Sequence, residues 1–188
     1  MNEANLIITG YFSLAADKFA DKVCLQIKKD SVWQGWSYRQ TQELCLKVAA
    51  FLIREGFKKG DFAALLLENR PEWPIIYLGI VYAGLTCVPL DAQLSSEEIR
   101  NLVLDSNIKV MFCSSEIFSD KISQKIQGFL KKIVILGSLD VGGERIVDFS
   151  KLEDIAPERN SLPQILPDDV ASLIYTSGTT GKPKGVML

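Results

Sequence analysis

The sequence predicts an α/β fold: a layered, largely parallel sheet with helices on both faces, here as the incomplete N-terminal part of a larger domain. Three observations carry this. Strand-like and helix-like segments alternate along the chain. Several strand candidates are almost unbroken apolar runs, as expected for strands covered on both faces. The helix candidates repeat apolar residues at helical spacing. No internal repeat, low-complexity segment or linker divides the 188 residues, so 1–188 read as one unit.

The elements follow in order. Leu6, Tyr11, Leu14, Ala15 and Phe19 predict a helix over 6–19. Val23 to Lys28 and Ser31 to Ser37 predict two short strands around a turn at Lys29-Asp30. Tyr38 to Glu55 reads as a helix with Leu44, Val48, Ala49, Phe51 and Leu52 on its apolar face, and Gly56 as its stop. Asp61 to Leu67 is a buried strand, and Pro71 opens a helix that runs to Ala83 and ends at Gly84. Thr86 to Pro89 is a strand. Ser95 and Glu98 have capping-box spacing for a helix to Ser106, with Ile99, Leu102 and Val103 inward. Strand 109–113, helix 117–130 and strand 132–136 follow, then a turn-rich stretch over 137–144 and a proline-bearing loop over 157–167. Asp169 to Tyr175 is the last clear strand. Val186-Met187-Leu188 reads as the start of another, and an open strand there predicts further chain beyond it.

Composition narrows the function. A hydrophobic share of 47% and a charged share of 23% fit a soluble globular protein. A formal net charge of -2 gives no basic footprint for nucleic acid or an acidic membrane. The absence of histidine excludes, within these residues, catalysis that needs an imidazole base, and removes the commonest zinc ligand. The four cysteines, Cys24, Cys45, Cys87 and Cys113, lie among apolar neighbours without a C-x-x-C pair, and read as buried thiols of a reducing compartment. The polar, acidic start does not resemble a secretory signal. The charge-free stretch from Trp73 to Leu90 approaches the length of a membrane span, but Pro74, Gly79, Gly84 and Pro89 interrupt it. It reads as a buried helix followed by a buried strand, with no integral membrane span.

One segment carries chemistry: Tyr175-Thr176-Ser177-Gly178-Thr179-Thr180-Gly181-Lys182-Pro183-Lys184-Gly185. A polyphosphate needs backbone N–H groups at close approach, hydroxyl donors and fixed positive charge. Gly178, Gly181 and Gly185 allow close approach and positive φ. Thr176, Ser177, Thr179 and Thr180 bring hydroxyls, and Lys182 and Lys184 bring ammonium groups that suit phosphate as point charges. Pro183 stiffens the turn between the two lysines. The same residue types also make ordinary surface loops; the order, directly after a buried-looking strand, sets this run apart. It is not the G-x-x-x-x-G-K-[ST] loop, because Pro183 stands where that pattern needs its second glycine, and it is not G-x-G-x-x-G.

This run resembles the phosphate loop of the adenylate-forming superfamily, whose members include acyl-CoA synthetases, luciferases and the adenylation domains of peptide synthetases. That pattern is an aromatic residue, Thr-Ser-Gly, Ser or Thr, Thr-Gly, any residue, then Pro-Lys-Gly, and every position matches here. Trp36-Ser37-Tyr38 with Glu43-Leu44, Gly60-Asp61, and the stretch from Val81 to Asp91 resemble upstream motifs of the same family, with core packing as their role. Asn69-Arg70-Pro71-Glu72-Trp73 is similar to a stretch of fatty acyl-CoA synthetases.

The resemblance implies a two-step ligase. A carboxylate attacks the α-phosphorus of ATP, giving an acyl-adenylate and pyrophosphate, and a thiol such as coenzyme A then displaces AMP. It implies that Ser177, Gly178, Thr179, Thr180, Gly181 and Lys184 contact the β- and γ-phosphates. It places Thr176 near Mg²⁺ and Lys182 at the variable position. It places the adenine pocket, an acidic ribose contact, most of the acyl pocket and a catalytic lysine in sequence beyond these residues, so residues 1–188 alone are expected to be inactive. The expected partners are small molecules, in the cytoplasm or, for a lipid substrate, at a membrane surface. Two other readings stay open: an adenylation module that loads a carrier protein, and a naturally short, non-catalytic nucleotide-binding protein. A kinase-like or ATPase-like hydrolase is disfavoured by the absence of a Lys-Ser or Lys-Thr ending.

Overall fold

A computed structural model describes residues 7–138, 143–157, 159–176 and 183–188. Five parallel strands form its centre, in the order β4-β3-β5-β6-β7. These are β3 (Phe62–Leu66), β4 (Thr86–Pro89), β5 (Val110–Ser114), β6 (Lys132–Leu136) and β7 (Ile146–Asp148). The alternation of side chains along each strand sorts them into two cores. Ala63, Leu65, Phe112, Val134 and Leu136 face one cluster together with α2 (Tyr38–Arg54) and α3 (Glu72–Tyr82). Ala64, Leu66, Met111, Cys113, Ile133 and Ile135 face the other, with α4 (Ser96–Asp105), α5 (Ser115–Lys121) and α6 (Gln124–Gln127). The predicted fold class is therefore observed, with helices on both faces.

α2 begins at a reciprocal capping box in which Ser37 accepts from the N–H of Gln40 and the Gln40 side chain accepts from the N–H of Ser37. Its burial is wider than the predicted stripe: Cys45, Leu46 and Ala50 are buried too, whereas Leu44 is half-buried. α3 crosses it at Gly79, where an added Cβ would lie 2.5 Å from the Val48 Cβ and 2.9 Å from the Cys45 carbonyl oxygen. Glycine is needed there for close approach rather than for backbone freedom. A cover of α1 (Ile8–Lys18) and the antiparallel hairpin β1 (Val23–Lys29) and β2 (Val32–Ser37) completes this side. Asp30 and Ser31 turn that hairpin with φ of 48° and 66°.

Trp73 to Leu90 resolves into α3 and β4, and among the described residues no helix is long and apolar enough to cross a membrane. Ser95 and Glu98 form the predicted capping box. Three expectations need correction. The helix predicted over 117–130 is two helices. Ser114 accepts from the N–H of Ile117 and starts α5 early, and Ile122 (ψ 80°) and the extended Ser123 break the run, while Ile122, Ile126 and Leu130 all stay in the core. Strand β7 and the 3-10 turn Phe149–Leu152 were not foreseen. The cysteines are all free, but only Cys45, Cys87 and Cys113 are buried; Cys24 is half-exposed. Burial pushes the Cys113 thiol up to about 12, and raises Cys45 and Cys87 as well.

Beyond the 3-10 turn an irregular strap runs back across α2, held by long cations rather than by its own ladder. Lys47 donates to the Glu153 carbonyl at 2.6 Å, Arg159 to the Gln42 side chain at 2.9 Å, and Lys59 to the Gln164 carbonyl at 2.9 Å. This strap delivers the chain to the open β4 edge of the sheet.

Candidate phosphate-binding hairpin

The strand predicted over 169–175 does not simply extend the parallel sheet. It joins β4 briefly, at the bridge of Ser172 with Cys87, then leaves to form an antiparallel hairpin, β8 (Leu173–Thr176) with β9 (Lys184–Met187). β9 also begins earlier than predicted and takes in the last two residues of the glycine-rich motif.

The base of this hairpin is fastened to the upstream motif between Val81 and Asp91. The N–H of Cys87 donates to the Ala171 carbonyl at 2.9 Å, and the Thr86 hydroxyl to the Val170 carbonyl at 2.9 Å. The hydroxyls of Tyr77 and Ser172 share a hydrogen bond of 2.8 Å. One residue further back, Lys59 pairs with Asp169 at 2.5 Å. The N–H of Leu166 and then Lys59 hold the Asp169 carboxyl below its ordinary range. The upstream motif is thus more than core packing: its backbone and one hydroxyl set the height at which β8 leaves the sheet. Only the alternation of α3 and β4 was legible here; the pairing with a strand eighty residues later left no signal in sequence.

Further out, the register places Tyr175 opposite Gly185 and Thr176 opposite Lys184. Two predicted site residues, Thr176 and Lys184, thus form the last described rung of the hairpin. The Thr176 hydroxyl points to the Lys184 carbonyl at 3.5 Å, a long contact on an exposed residue, so it remains open to another ligand. Lys184 is exposed. Gly185 has no positive φ, contrary to expectation. A Cβ there would meet a Leu173 methyl at 2.8 Å and the Tyr175 ring at 3.5 Å, so its role in the structure is to let those side chains cover the strand. Ser177, Gly178, Thr179, Thr180, Gly181 and Lys182 lie outside the described residues.

Tyr175, the aromatic position of the motif, donates its hydroxyl to Asp105 at the end of α4 at 2.6 Å. Burial first, and then the bond to the Asp105 carboxylate, push its phenol up to about 12, so it stays protonated and donating at any ordinary pH. Sequence reading missed Asp105, whose only sign is an acidic side chain at a helix C-terminus, where the macrodipole disfavours it. Among the described residues no group of three acidic, cysteine or histidine side chains is placed to hold a metal.

The profile of the AMP-binding enzyme family matches residues 12–188. The chain is 29% identical over 177 residues to the crotonobetaine/carnitine–CoA ligase of Citrobacter koseri, covering 92% of this chain and 34% of that protein. It is 30% identical over 181 residues to long-chain-fatty-acid–CoA ligase 1 of Homo sapiens, covering 88% of this chain and 26% of that one. Among solved structures it is similar to an anthranilate CoA ligase in complex with anthranoyl-AMP, with a TM-score of 0.83 and 25% identity over 100% of this chain and 36% of that one. The chain thus spans about a third or less of the length of these relatives.

Proposed function

Since the chain belongs to the AMP-binding enzyme family, we propose that residues 1–188 are the N-terminal portion of an adenylation domain in an acid–thiol ligase. In this reading the ligase activates a carboxylic acid, with a fatty acid as the class favoured, as an acyl-adenylate and passes the acyl group to coenzyme A. The observation that supports it is the hairpin: the Thr176–Lys184 rung brings the two ends of the glycine- and hydroxyl-rich motif together beside the edge of the parallel sheet.

The chemistry follows from charge. The acid's carboxylate oxygen attacks the α-phosphorus of ATP, the bond to the β-phosphate oxygen breaks, and charge gathers on the departing pyrophosphate. Preorganised donors lower that barrier because they need not reorient as the charge develops. Ser177, Gly178, Thr179, Thr180, Gly181 and Lys184 are proposed to hold the β- and γ-phosphates, with Lys182 beside them. Mg²⁺ screens the phosphate charge when ATP is bound. Thr176 could offer it a hydroxyl. A thiol then attacks the acyl carbon and AMP leaves.

The fatty-acid class rests on the segment 69–73 and on the similarity to a long-chain ligase. A lipid substrate would bring a cytoplasmic protein to a membrane surface. The test is ATP–pyrophosphate exchange by the protein purified from its natural source, against long-chain, short hydroxylated and aromatic acids. Exchange strongest with long-chain acids supports the proposal in full. Exchange with aromatic acids alone replaces the substrate class. No exchange with any acid, with an intact mass near 20.9 kDa, removes the ligase reading.

A further inference from the structure

The hairpin of β1 and β2 stands clear of both cores at its far end. Every residue from Lys28 to Gly35 is exposed, so both faces of the tip meet solvent. Asp30 and Ser31 make the turn, and the last two rungs pair Lys29 with Val32 and Lys28 with Trp33. Side chains paired across a rung share a face, and successive rungs alternate between faces. Val32 and Lys29 therefore lie on one face of the tip, and Trp33 and Lys28 on the other. Val32 is 63% exposed and Trp33 61%. Trp33 is the one exposed tryptophan of the three in the chain. Among the described residues nothing accepts from its indole N–H.

This arrangement selects among occupants. A protein surface laid against either face would cover one apolar side chain of the pair and leave the other in water. The tip is also too small for a specific protein interface, which takes about 800 Å² from each partner. A lipid interface surrounds what enters it, and so covers both faces at once. Tryptophan suits that boundary, because its ring is apolar and its N–H is polar. The lysines complete the match: their stems run along apolar surface while the ammonium groups reach headgroup phosphates. Lys28 has no ion-pair partner among the described residues. Lys29 lines a cleft with Glu68 and Glu72, so part of its charge is turned inward. Asp30, at the turn itself, opposes entry.

We propose that the tip of this hairpin docks the protein on a membrane surface: Val32 and Trp33 enter the interface of a bilayer that bears anionic phospholipids, and Lys28 meets their phosphates. The chain carries a formal net charge of -2, so the same surface that attracts the tip repels the rest and orients the molecule. One short tip gives weak, reversible binding. The contact needs only the hairpin, and holds whether or not the protein is a ligase.

The experiment is co-sedimentation of the intact protein with vesicles of phosphatidylcholine alone, and of phosphatidylcholine and phosphatidylserine at about 3:1. Binding is expected to the mixed vesicles, about fivefold or more weaker to the neutral ones, and lost at high salt. Trp33→Ala should weaken it about tenfold and Lys28→Gln about three- to fivefold, with Lys29→Gln doing less. Asp30→Asn should strengthen it about threefold. All four side chains are exposed, so the unfolding midpoint should stay within about 2 °C of the parent. Brominated acyl chains in the mixed vesicles should quench the tryptophan fluorescence of the parent but not that of Trp33→Phe, in which only the half-buried Trp36 and Trp73 remain. Failure of the parent to bind the mixed vesicles, or binding that Trp33→Ala leaves unchanged, would overturn the proposal. So would self-association without lipid that Trp33→Ala abolishes, because it assigns the tip to a second copy of the chain. If Trp33→Ala lowers the midpoint, the quenching of the parent decides, and its absence overturns the docking role.

Discussion

The parallel sheet and the β8–β9 hairpin are built on opposite terms. In the sheet, nearly every side chain of β3, β5 and β6 is buried, and the two alternating faces feed two cores. Among the described residues of β8 and β9, Leu173 alone is buried and β9 is exposed throughout. Position in the sheet is over-determined by packing. Position in the described part of the hairpin depends on Leu173 and Tyr175, which pack on the second core, and on a few hydrogen bonds. Substitutions in the two regions should therefore separate stability from binding.

The largest expected effect lies in the sheet. Phe112 is fully buried on β5. Phe112→Ala should cost about 4 kcal/mol, by lost transfer energy and the cavity left behind. In a chain of this size that lowers the unfolding midpoint by about 10 °C, as differential scanning calorimetry would read. A fall of only a degree or two would mean that the sheet is not the rigid member of the pair.

The same contrast explains what could be read in advance. The sheet was legible because burial on both faces writes itself into composition: Ala63, Ala64, Leu65 and Leu66 can hardly be other than a covered strand. The break in the helix predicted over 117–130 was not, since Ile122, Ile126 and Leu130 keep helical spacing across it and Ser123, which precedes α6, makes no side-chain cap. β7, of three residues, is too short to show a period. At the hairpin the reverse holds. The order of residue types from Tyr175 to Gly185 pointed to the family whose profile covers it, and the rung of Thr176 with Lys184 brings the two ends of that run side by side. The supports at Thr86, Tyr77 and Asp105 were invisible, because a hydrogen bond between residues 70 or more positions apart leaves no local pattern.

An intermediate effect is expected at the junction of the two regions. Thr86 is buried and its hydroxyl is the one side-chain donor given to the Val170 carbonyl among the described residues. Thr86→Val keeps the strand former but removes that donor, at a cost of about 1–2 kcal/mol. Amide exchange should quicken in β8 well before it does in β3. Equal acceleration in both strands would show that the hairpin is not a separate, weaker unit.

The smallest effect on stability is expected at Lys184. Its rung to Thr176 is made by the main chain, its carbonyl is the acceptor of the Thr176 hydroxyl, and its side chain is exposed. Alanine preserves every one of those bonds, so Lys184→Ala should move stability by less than about 0.5 kcal/mol. On the proposed ligase reading, the same change in the intact protein slows ATP-dependent pyrophosphate release by on the order of tenfold or more, because that reading sets the Lys184 charge against the departing phosphates. Lys184→Arg separates charge from shape: an arginine keeps the charge but presents a wider, planar fork. Partial recovery by arginine would place the demand on charge at the loop's mouth. Full pyrophosphate release by the alanine variant would instead mean that the loop holds its phosphates through main-chain N–H groups and hydroxyls, and that Lys184 serves only as the first residue of β9.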